Sequence, residues 1–394
     1  MEPFQNETRN AVAAPVLFGV ESVGSVGIAT VELNRPAILN ALDTDCYKLL
    51  ESRLIEWQND STVGAIIISG KGGKAFCAGG DVKGLVLKSK EFGLKIALEF
   101  FTHEYFVDGF VHNYRKPIVA ICDGITMGGG LGLAAGAILR IATERTLVAM
   151  PELSIGLFPD VGATRFLGDV NMPGFESRRV RAPFGLFMGL TGARLSGADA
   201  VRIGLMDAFV PTTRLRHLHV DLLRAMNVDE GTDSRERAVT ANVKAVVAKN
   251  SQQATSGITE TDEHIIEDIF SLDDLLKIDR RFKEVRKLSP WLEETRTRYL
   301  KGSPLSRRVF FEAFHRHRNL SIIETLTREW EMSICFSKGS EFAEGVRAVL
   351  IEKDHAPKWR YSALDQIPGE VIESMFRSGE PENLLVEKFR EFGF

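Results

Sequence analysis

Met127-Gly-Gly-Gly-Leu-Gly132, then Ala149-Met-Pro-Glu152, then Gly156-Leu-Phe-Pro-Asp-Val-Gly162 make up the stretch on which the reading of this chain turns. Glycines just before the small-residue run 131–138 predict a tight turn that opens a helix, and the first turn of a helix carries backbone N–H groups with no intrahelical acceptor. Such a start is a ready anion site, suited to an oxyanion that develops during a reaction. Glu152 and Asp160 follow, each beside a proline that restricts the backbone, with Gly156 between them. Held at one pocket, they would put general acid–base groups beside the anion site.

Working outward, residues 64–69 (Gly-Ala-Ile-Ile-Ile-Ser) and 117–122 (Pro-Ile-Val-Ala-Ile-Cys) are short apolar runs of the kind buried on both faces of a parallel sheet. Between them, Lys74-Ala-Phe-Cys-Ala-Gly-Gly-Asp81 ends in a second glycine pair, read as a strand-to-helix turn with Asp81 capping the helix that follows. An amphipathic helix is predicted over 91–114, with most of its aromatics in the core, and Lys116-Pro117 stops it. Residues 16–33 read as two strands around Gly24. Cys46, Leu50, Leu54 and Trp57 recur at helical spacing behind the capping candidates Asn40 and Asp43, predicting a helix over 43–57. Downstream come short helices over 190–204, a last strand over 207–211, a polar linker over 228–237 and a mostly helical remainder. The acidic patch at 260–268 and the basic one at 315–318 read as solvated faces. Two parts follow: a core over 1–227 and a helical C-terminal region over 238–394, the latter a surface for association into a homo-oligomer.

The 394 residues, 44% hydrophobic and 26% charged, describe a globular protein with a sizeable core. A balance of 49 basic against 53 acidic residues gives no electrostatic reason to expect nucleic acid or an anionic membrane as partner. No apolar run has membrane length, and residues 1–14 lack the basic, apolar, small-residue succession of a signal peptide, so a soluble intracellular protein is expected. Cys46, Cys77, Cys122 and Cys335 are scattered and read as small buried hydrophobes, with neither disulfide framework nor zinc site. The histidines show no HExxH or comparable spacing, and His315 and His317 lie too close to share one helical face, so no metal site is expected.

The ordered set Leu33-Asn-Arg-Pro36 with Asn40-Ala-Leu42, Ala75-Phe-Cys-Ala-Gly-Gly-Asp81, Gly124-Ile-Thr-Met-Gly-Gly-Gly130 and Pro151-Glu152 resembles the crotonase (enoyl-CoA hydratase/isomerase) superfamily. Phe100-Phe-Thr-His-Glu-Tyr105, the 127–132 and 149–162 stretches, and Phe342-Ala-Glu-Gly-Val-Arg-Ala-Val-Leu-Ile-Glu-Lys-Asp354 with Pro357 and Trp359 resemble its 3-hydroxyisobutyryl-CoA hydrolase branch. The resemblance runs from about residue 16 to residue 359. It implies an α/β spiral of repeated strand–strand–helix units with a helical C-terminal region, and hydrolysis of a short-chain 3-hydroxyacyl-CoA as in valine degradation. CoA would be part of the substrate, with no further cofactor. The implied location is the cytoplasm of a bacterium or the mitochondrial matrix of a eukaryote.

Residue by residue, the resemblance puts an oxyanion hole on the N–H groups of Gly80 and Gly129, catalytic carboxylates on Glu152 and Asp160, and a substrate-contacting glutamate on Glu104. Ala78, Asp81 and Val82 fall where the superfamily grips the adenine of CoA through backbone groups. Read without the resemblance, Glu152 is a solvated turn acid and Asp160 the N-cap of a helix over 161–167. The hydratases of the superfamily carry a glutamate two residues beyond the triple glycine, where this chain has Gly132. Hydration therefore lacks half its acid–base pair, and thioester hydrolysis fits better, with Glu152 either a nucleophile or the base that activates water. Asp160 would orient the substrate hydroxyl or assist proton transfer.

Ala163-Thr-Arg165 departs from the hydrolase pattern toward the hydratase one, and Arg115 replaces a common proline, so the acyl group is the open question. Besides hydration or isomerisation, two rivals come from other classes. Gly130-Leu-Gly-Leu-Ala-Ala135 matches a dinucleotide fingerprint, but too far beyond its strand to make a Rossmann turn. A non-catalytic scaffold has no need to keep both Glu152 and Asp160.

Overall fold

The computed structural model describes residues 14–23, 26–168, 181–227 and 235–394. β1 (Val16–Val23) and β2 (Val26–Leu33) pair antiparallel, while Gly24 and residues 1–13 lie outside the described residues. α1 (Thr44–Asn59) follows, with Asp43 as its N-cap and Cys46, Leu50, Leu54 and Trp57 on its buried face.

The chain then winds through three repeats. The first is β3 (Val63–Gly70), β4 (Ala75–Cys77), α2 (Val82–Phe92) and α3 (Lys95–His112). The second is β5 (Ile118–Cys122), β6 (Ile125–Met127) and α4 (Gly129–Ala135). The third is β7 (Leu139–Ala142), β8 (Leu147–Ala149), a 3-10 turn Glu152–Ile155 and the short α5 (Ala163–Phe166). α6 (Ala182–Thr191), β9 (Leu195–Ser196), α7 (Gly197–Arg202), β10 (Ala208–Phe209) and α8 (Leu215–Ala225) complete this part. The first strand of every repeat enters a six-stranded sheet of order β1-β2-β3-β5-β7-β10, and the second enters a four-stranded sheet of order β4-β6-β8-β9.

Within both sheets the strands contributed by successive repeats are parallel, and in the large one both faces are covered. Ile66 and Ile68 of β3 face the main core with α1 and α3, while Ala65 and Ile67 face a second core closed by Leu218 and Leu222 of α8 and by Val239, Val243 and Val247 of α9 (Arg235–Asn250). This two-sided burial accounts for the unbroken apolar runs in the sequence. The remaining helices are α10 (Glu260–Phe270), α11 (Leu275–Glu284), α12 (Pro290–Lys301), α13 (Pro304–Arg316), α14 (Ile322–Lys338), α15 (Ser340–Val346), α16 (Gly369–Ser374) and α17 (Leu384–Glu391). α10, α12 and α13 pack on α6, and α14 and α17 pack on α3.

Three expectations change. The helix expected over 91–114 begins only at Lys95, because residues 91 and 92 still belong to α2, which Gly93 (φ 85°) ends with its N–H on the Ser89 carbonyl. In the basic patch, His317 is buried rather than solvated, its Nδ1 at 2.8 Å from Thr164 Oγ1. Of the linker, residues 228–234 lie outside the described residues and 235–237 already belong to α9. Among the described residues no helix is long and apolar enough to cross a membrane.

Candidate active site

β4, β6 and β8 lie side by side and parallel, with Cys77 opposite Thr126 and Met127 opposite Ala149. Their C-terminal ends therefore deliver three things to one place: the Gly79-Gly80 turn, the Gly128-Gly129 turn, and Glu152. Gly79 (φ 107°) and Gly128 (φ 52°, ψ −128°) adopt backbone angles that side chains disfavour. A Cβ on Gly79 would lie 3.3 Å from Gly129 N, and one on Gly129 would lie 3.3 Å from Gly80 N, so the two turns touch.

The hydrogen bonds that fix these turns leave two amides out. Leu42 N–H donates to Gly79 O (3.0 Å), Asp81 N–H to Leu42 O (2.7 Å) and Gly128 N–H to Ala149 O (3.3 Å), whereas the N–H groups of Gly80 and Gly129 take no part. The Asn34-Arg-Pro…Asn40 motif is the cradle for the first turn. Asn40, itself at φ 57°, donates to Lys71 O (3.0 Å) and Ala75 O (2.8 Å), and Arg35 pairs with Asp43 (3.1 Å) and Asp81 (3.2 Å). Asp81 caps α2 by accepting from Gly84 N–H (3.0 Å). The backbone N–H groups of Ala78, Asp81 and Val82 donate to Leu39, Leu42 and Gly80 carbonyls, so these three amides are engaged within the protein.

Around the turns stand buried carboxylates. Glu152 Oε1 lies 2.6 Å from the point where a Cβ on Gly128 would begin, and its Oε2 has no partner among the described residues. Glu104 Oε1, from α3, accepts from Tyr47 O–H (2.6 Å) and lies 2.5 Å from the corresponding point on Gly129. Asp160 Oδ2 accepts from Tyr105 O–H (2.5 Å), and the same tyrosine oxygen is 2.6 Å from Ser333 Oγ of α14. Burial pushes Glu104 and Glu152 well above the carboxylate range, and the neighbouring Asp160 pushes both further. Burial raises Asp160 to about 7, opposed by the Tyr105 hydrogen bond. Glu152 is thus buried, not a solvated turn acid. Nor is Asp160 a helix cap, because α5 begins at Ala163 behind Gly162.

Other groups at the site were not singled out from the sequence. Glu329 of α14 is fully buried, accepts from Gly162 N–H (2.6 Å), Thr164 N–H (3.1 Å) and Thr164 O–H (2.6 Å), and so ties down the turn after Asp160. That turn needs support, since Val161 (φ 54°) and Gly162 (φ 86°) are both left-handed. Burial raises Glu329 to about 8, against three donors that favour its charge. Glu329 and Ser333, four residues apart beside the apolar Leu326, Trp330 and Ile334, give a legible helical signal of a polar pair on a core-facing side. Asp108, one turn beyond Glu104 on α3, is fully buried and has no partner for either oxygen among the described residues. A Cβ on Gly132 would meet Val161 Cβ at 2.5 Å. Among the described residues no group of three His, Cys, Asp or Glu side chains is arranged to hold a metal ion.

The family model described as enoyl-CoA hydratase/isomerase matches residues 28–376. The mitochondrial 3-hydroxyisobutyryl-CoA hydrolase of Rattus norvegicus is 37% identical over 360 residues, covering 91% of this chain and 88% of the relative. That of Homo sapiens is 36% identical over 359 residues, covering 91% and 88%. Among solved structures, a carnitinyl-CoA dehydratase from Mycobacterium thermoresistibile superposes with a TM-score of 0.76 at 32% identity, covering 94% of this chain and 98% of that one. An enoyl-CoA hydratase from Rhodobacter sphaeroides 2.4.1 gives 0.75 at 29% identity, covering 92% and 97%. With the two-sheet spiral and the paired glycine turns already in view, these matches over nearly the whole length show that the chain belongs to the enoyl-CoA hydratase/isomerase, or crotonase, family.

Proposed function

We propose that this chain hydrolyses a short-chain 3-hydroxyacyl-CoA to the free acid and CoA, with 3-hydroxyisobutyryl-CoA, the acyl-CoA in its relatives' names, as the substrate. The observation that carries this reading is the meeting of two glycine turns with the buried, partly unpartnered Glu152. The thioester carbonyl oxygen sits between the N–H groups of Gly80 and Gly129, which stabilise the charge it gains; removing one such donor typically costs about 2.7 to 4 kcal/mol of transition-state stabilisation. Burial favours the protonated form of Glu152 at rest, so the reactive species is the carboxylate left once that proton is lost to solvent. That carboxylate either attacks the carbonyl carbon, expelling CoA thiolate and leaving a mixed anhydride that water opens, or takes a proton from a water that attacks directly. Either route consumes one water and yields acid and thiol. Asp160, titrating near neutrality, orients the substrate hydroxyl or returns a proton to the thiolate. Glu104, held by Tyr47 against Gly129, contacts the acyl end.

A second reading, hydration of an enoyl-CoA, draws support from the two superposable structures, a carnitinyl-CoA dehydratase and an enoyl-CoA hydratase. Against it stands Gly132, which has no side chain and faces Val161 where one would begin. Free-thiol release across 3-hydroxyisobutyryl-, 3-hydroxypropionyl- and crotonyl-CoA separates the two. Consumption of crotonyl-CoA alone, without thiol release, would reject hydrolysis.

A further inference from the structure

α3 and α4 pack with carboxyls facing glycines: Glu104 lies against Gly129, and one turn along, Asp108 Oδ2 lies 3.2 Å from the point where a Cβ on Gly132 would begin. Glycine at both positions is what lets the acids of α3 approach the α4 backbone. Their hydrogen bonding differs. Glu104 holds Tyr47 O–H, Asp160 holds Tyr105 O–H and Glu329 holds Gly162 and Thr164, but Asp108, fully buried, has no partner for either oxygen among the described residues. A buried polar group left unpaired is destabilising, which makes Asp108 a group awaiting a partner.

We infer that Asp108 binds a hydroxyl on the acyl chain and selects hydroxylated over unsubstituted acyl-CoA, which leaves Asp160 the proton-transfer role. This rests on the reading of the glycine turns as the thioester site. Gly132 is three residues beyond Gly129, about 4.5 Å along the helix at 1.5 Å per residue. That displacement is within reach of a hydroxyl on the third carbon of an acyl group anchored by its carbonyl at Gly129. A carboxylic acid offers one O–H donor and a carbonyl acceptor, and a hydroxyl offers one donor and two acceptor lone pairs, so the two can satisfy each other. Burial first, and then the neighbouring acids Glu104, Asp160 and Glu329, favour the protonated form of Asp108.

The test uses the full chain and non-hydrolysable analogues in which a methylene replaces the thioester sulfur, made with 3-hydroxyisobutyryl and with isobutyryl groups. Calorimetry on wild type, Asp108→Asn and Asp108→Leu gives the ratio of the two Kd values. Wild type is expected to prefer the hydroxylated analogue by about tenfold, the worth of one good hydrogen bond. Asp108→Asn, neutral and still both donor and acceptor, keeps the ratio within about threefold, whereas Asp108→Leu brings it close to one. No preference in wild type, or a ratio unchanged in Asp108→Leu, overturns the inference. Equal loss in Asn and Leu does so too, since it would mean that charge rather than a neutral hydrogen bond is read. Should Asp108→Leu fail to fold, Asp108→Ala, which also removes donor and acceptor but adds no bulk, carries the same expectation and the same refutation. Thiol release from the parent thioesters, measured separately, tests hydrolysis itself, so its absence is distinguishable from failure of the binding ratio.

Discussion

The Tyr105 hydroxyl donates to Asp160 Oδ2 across 2.5 Å, joining a residue of α3 to the loop that follows the Glu152 turn. A hydrogen bond to a carboxylate favours its ionised form, and here it opposes the burial that raises Asp160 to about 7. Tyr105→Phe should therefore move Asp160 upward by about one to two pH units, since a bond to a charged group is worth about 1.5–3 kcal/mol. The limb of the kcat/KM profile that Asp160 controls would shift in the alkaline direction. A profile superimposable on wild type would show that Asp160 does not titrate in the reaction.

The same burial makes a stability prediction. Unfolded Asp160 loses its proton near 3.8 and folded Asp160 near 7. Below about pH 4 both states are protonated and burial is tolerated; between 4 and 7 only the unfolded state ionises, so stability falls as pH rises. Asp160→Asn removes this contribution. Relative to wild type the variant should gain stability progressively from pH 4 to 7, by roughly 4 kcal/mol at 1.36 kcal/mol per unit, and no further above that. Chemical unfolding of both proteins at pH 4, 5.5 and 7 measures it. A constant difference across that range would mean that folded Asp160 has an ordinary carboxylate pKa.

Glu152→Gln keeps the shape of the side chain and removes the charge required of a nucleophile or base. Thiol release should drop on the order of 10³-fold while CoA binding, measured by calorimetry, persists. Near wild-type turnover in this variant is incompatible with the mechanism proposed.

What the sequence made legible here was local. The Gly79-Gly80 and Gly128-Gly129 turns, the buried runs at 64–69 and 117–122 and the Asp43 and Asp81 caps are each written in a few adjacent residues, because backbone angles and strand burial impose strict side-chain demands. The partners that hold the carboxylates are not local. Tyr47 meets Glu104 across 57 positions and Ser333 meets Tyr105 across 228, and nothing in the spacing of a tyrosine or serine says which acid it will reach. For Asp160 the sequence left a helix-cap alternative beside the catalytic one, and the structure removes it: the left-handed Val161-Gly162 pair delays α5 until Ala163, and the cap falls to Gly162. Gly132 reads as an absence in sequence, but Val161 Cβ stands 2.5 Å from where its side chain would begin, so any side chain there would have to displace Val161.

That left-handed turn is where the C-terminal helices bear on the proposed chemistry. Glu329 reaches it from 167 positions away and accepts from Gly162 N–H, while its other oxygen takes both the N–H and the O–H of Thr164. Glu329→Gln replaces one acceptor oxygen with an NH2 group, which turns a donor toward a buried donor. The expected cost is about 1–3 kcal/mol of stability, read as a lowered Tm. Because Glu329 bonds the turn and is given no substrate contact, it is a positioning residue, and loosening it should lower kcat for thiol release by about tenfold while KM changes little. A KM rise at constant kcat would place Glu329 in substrate binding instead. Unchanged Tm and unchanged kcat together would mean that the Val161-Gly162 turn holds Asp160 without help from α14.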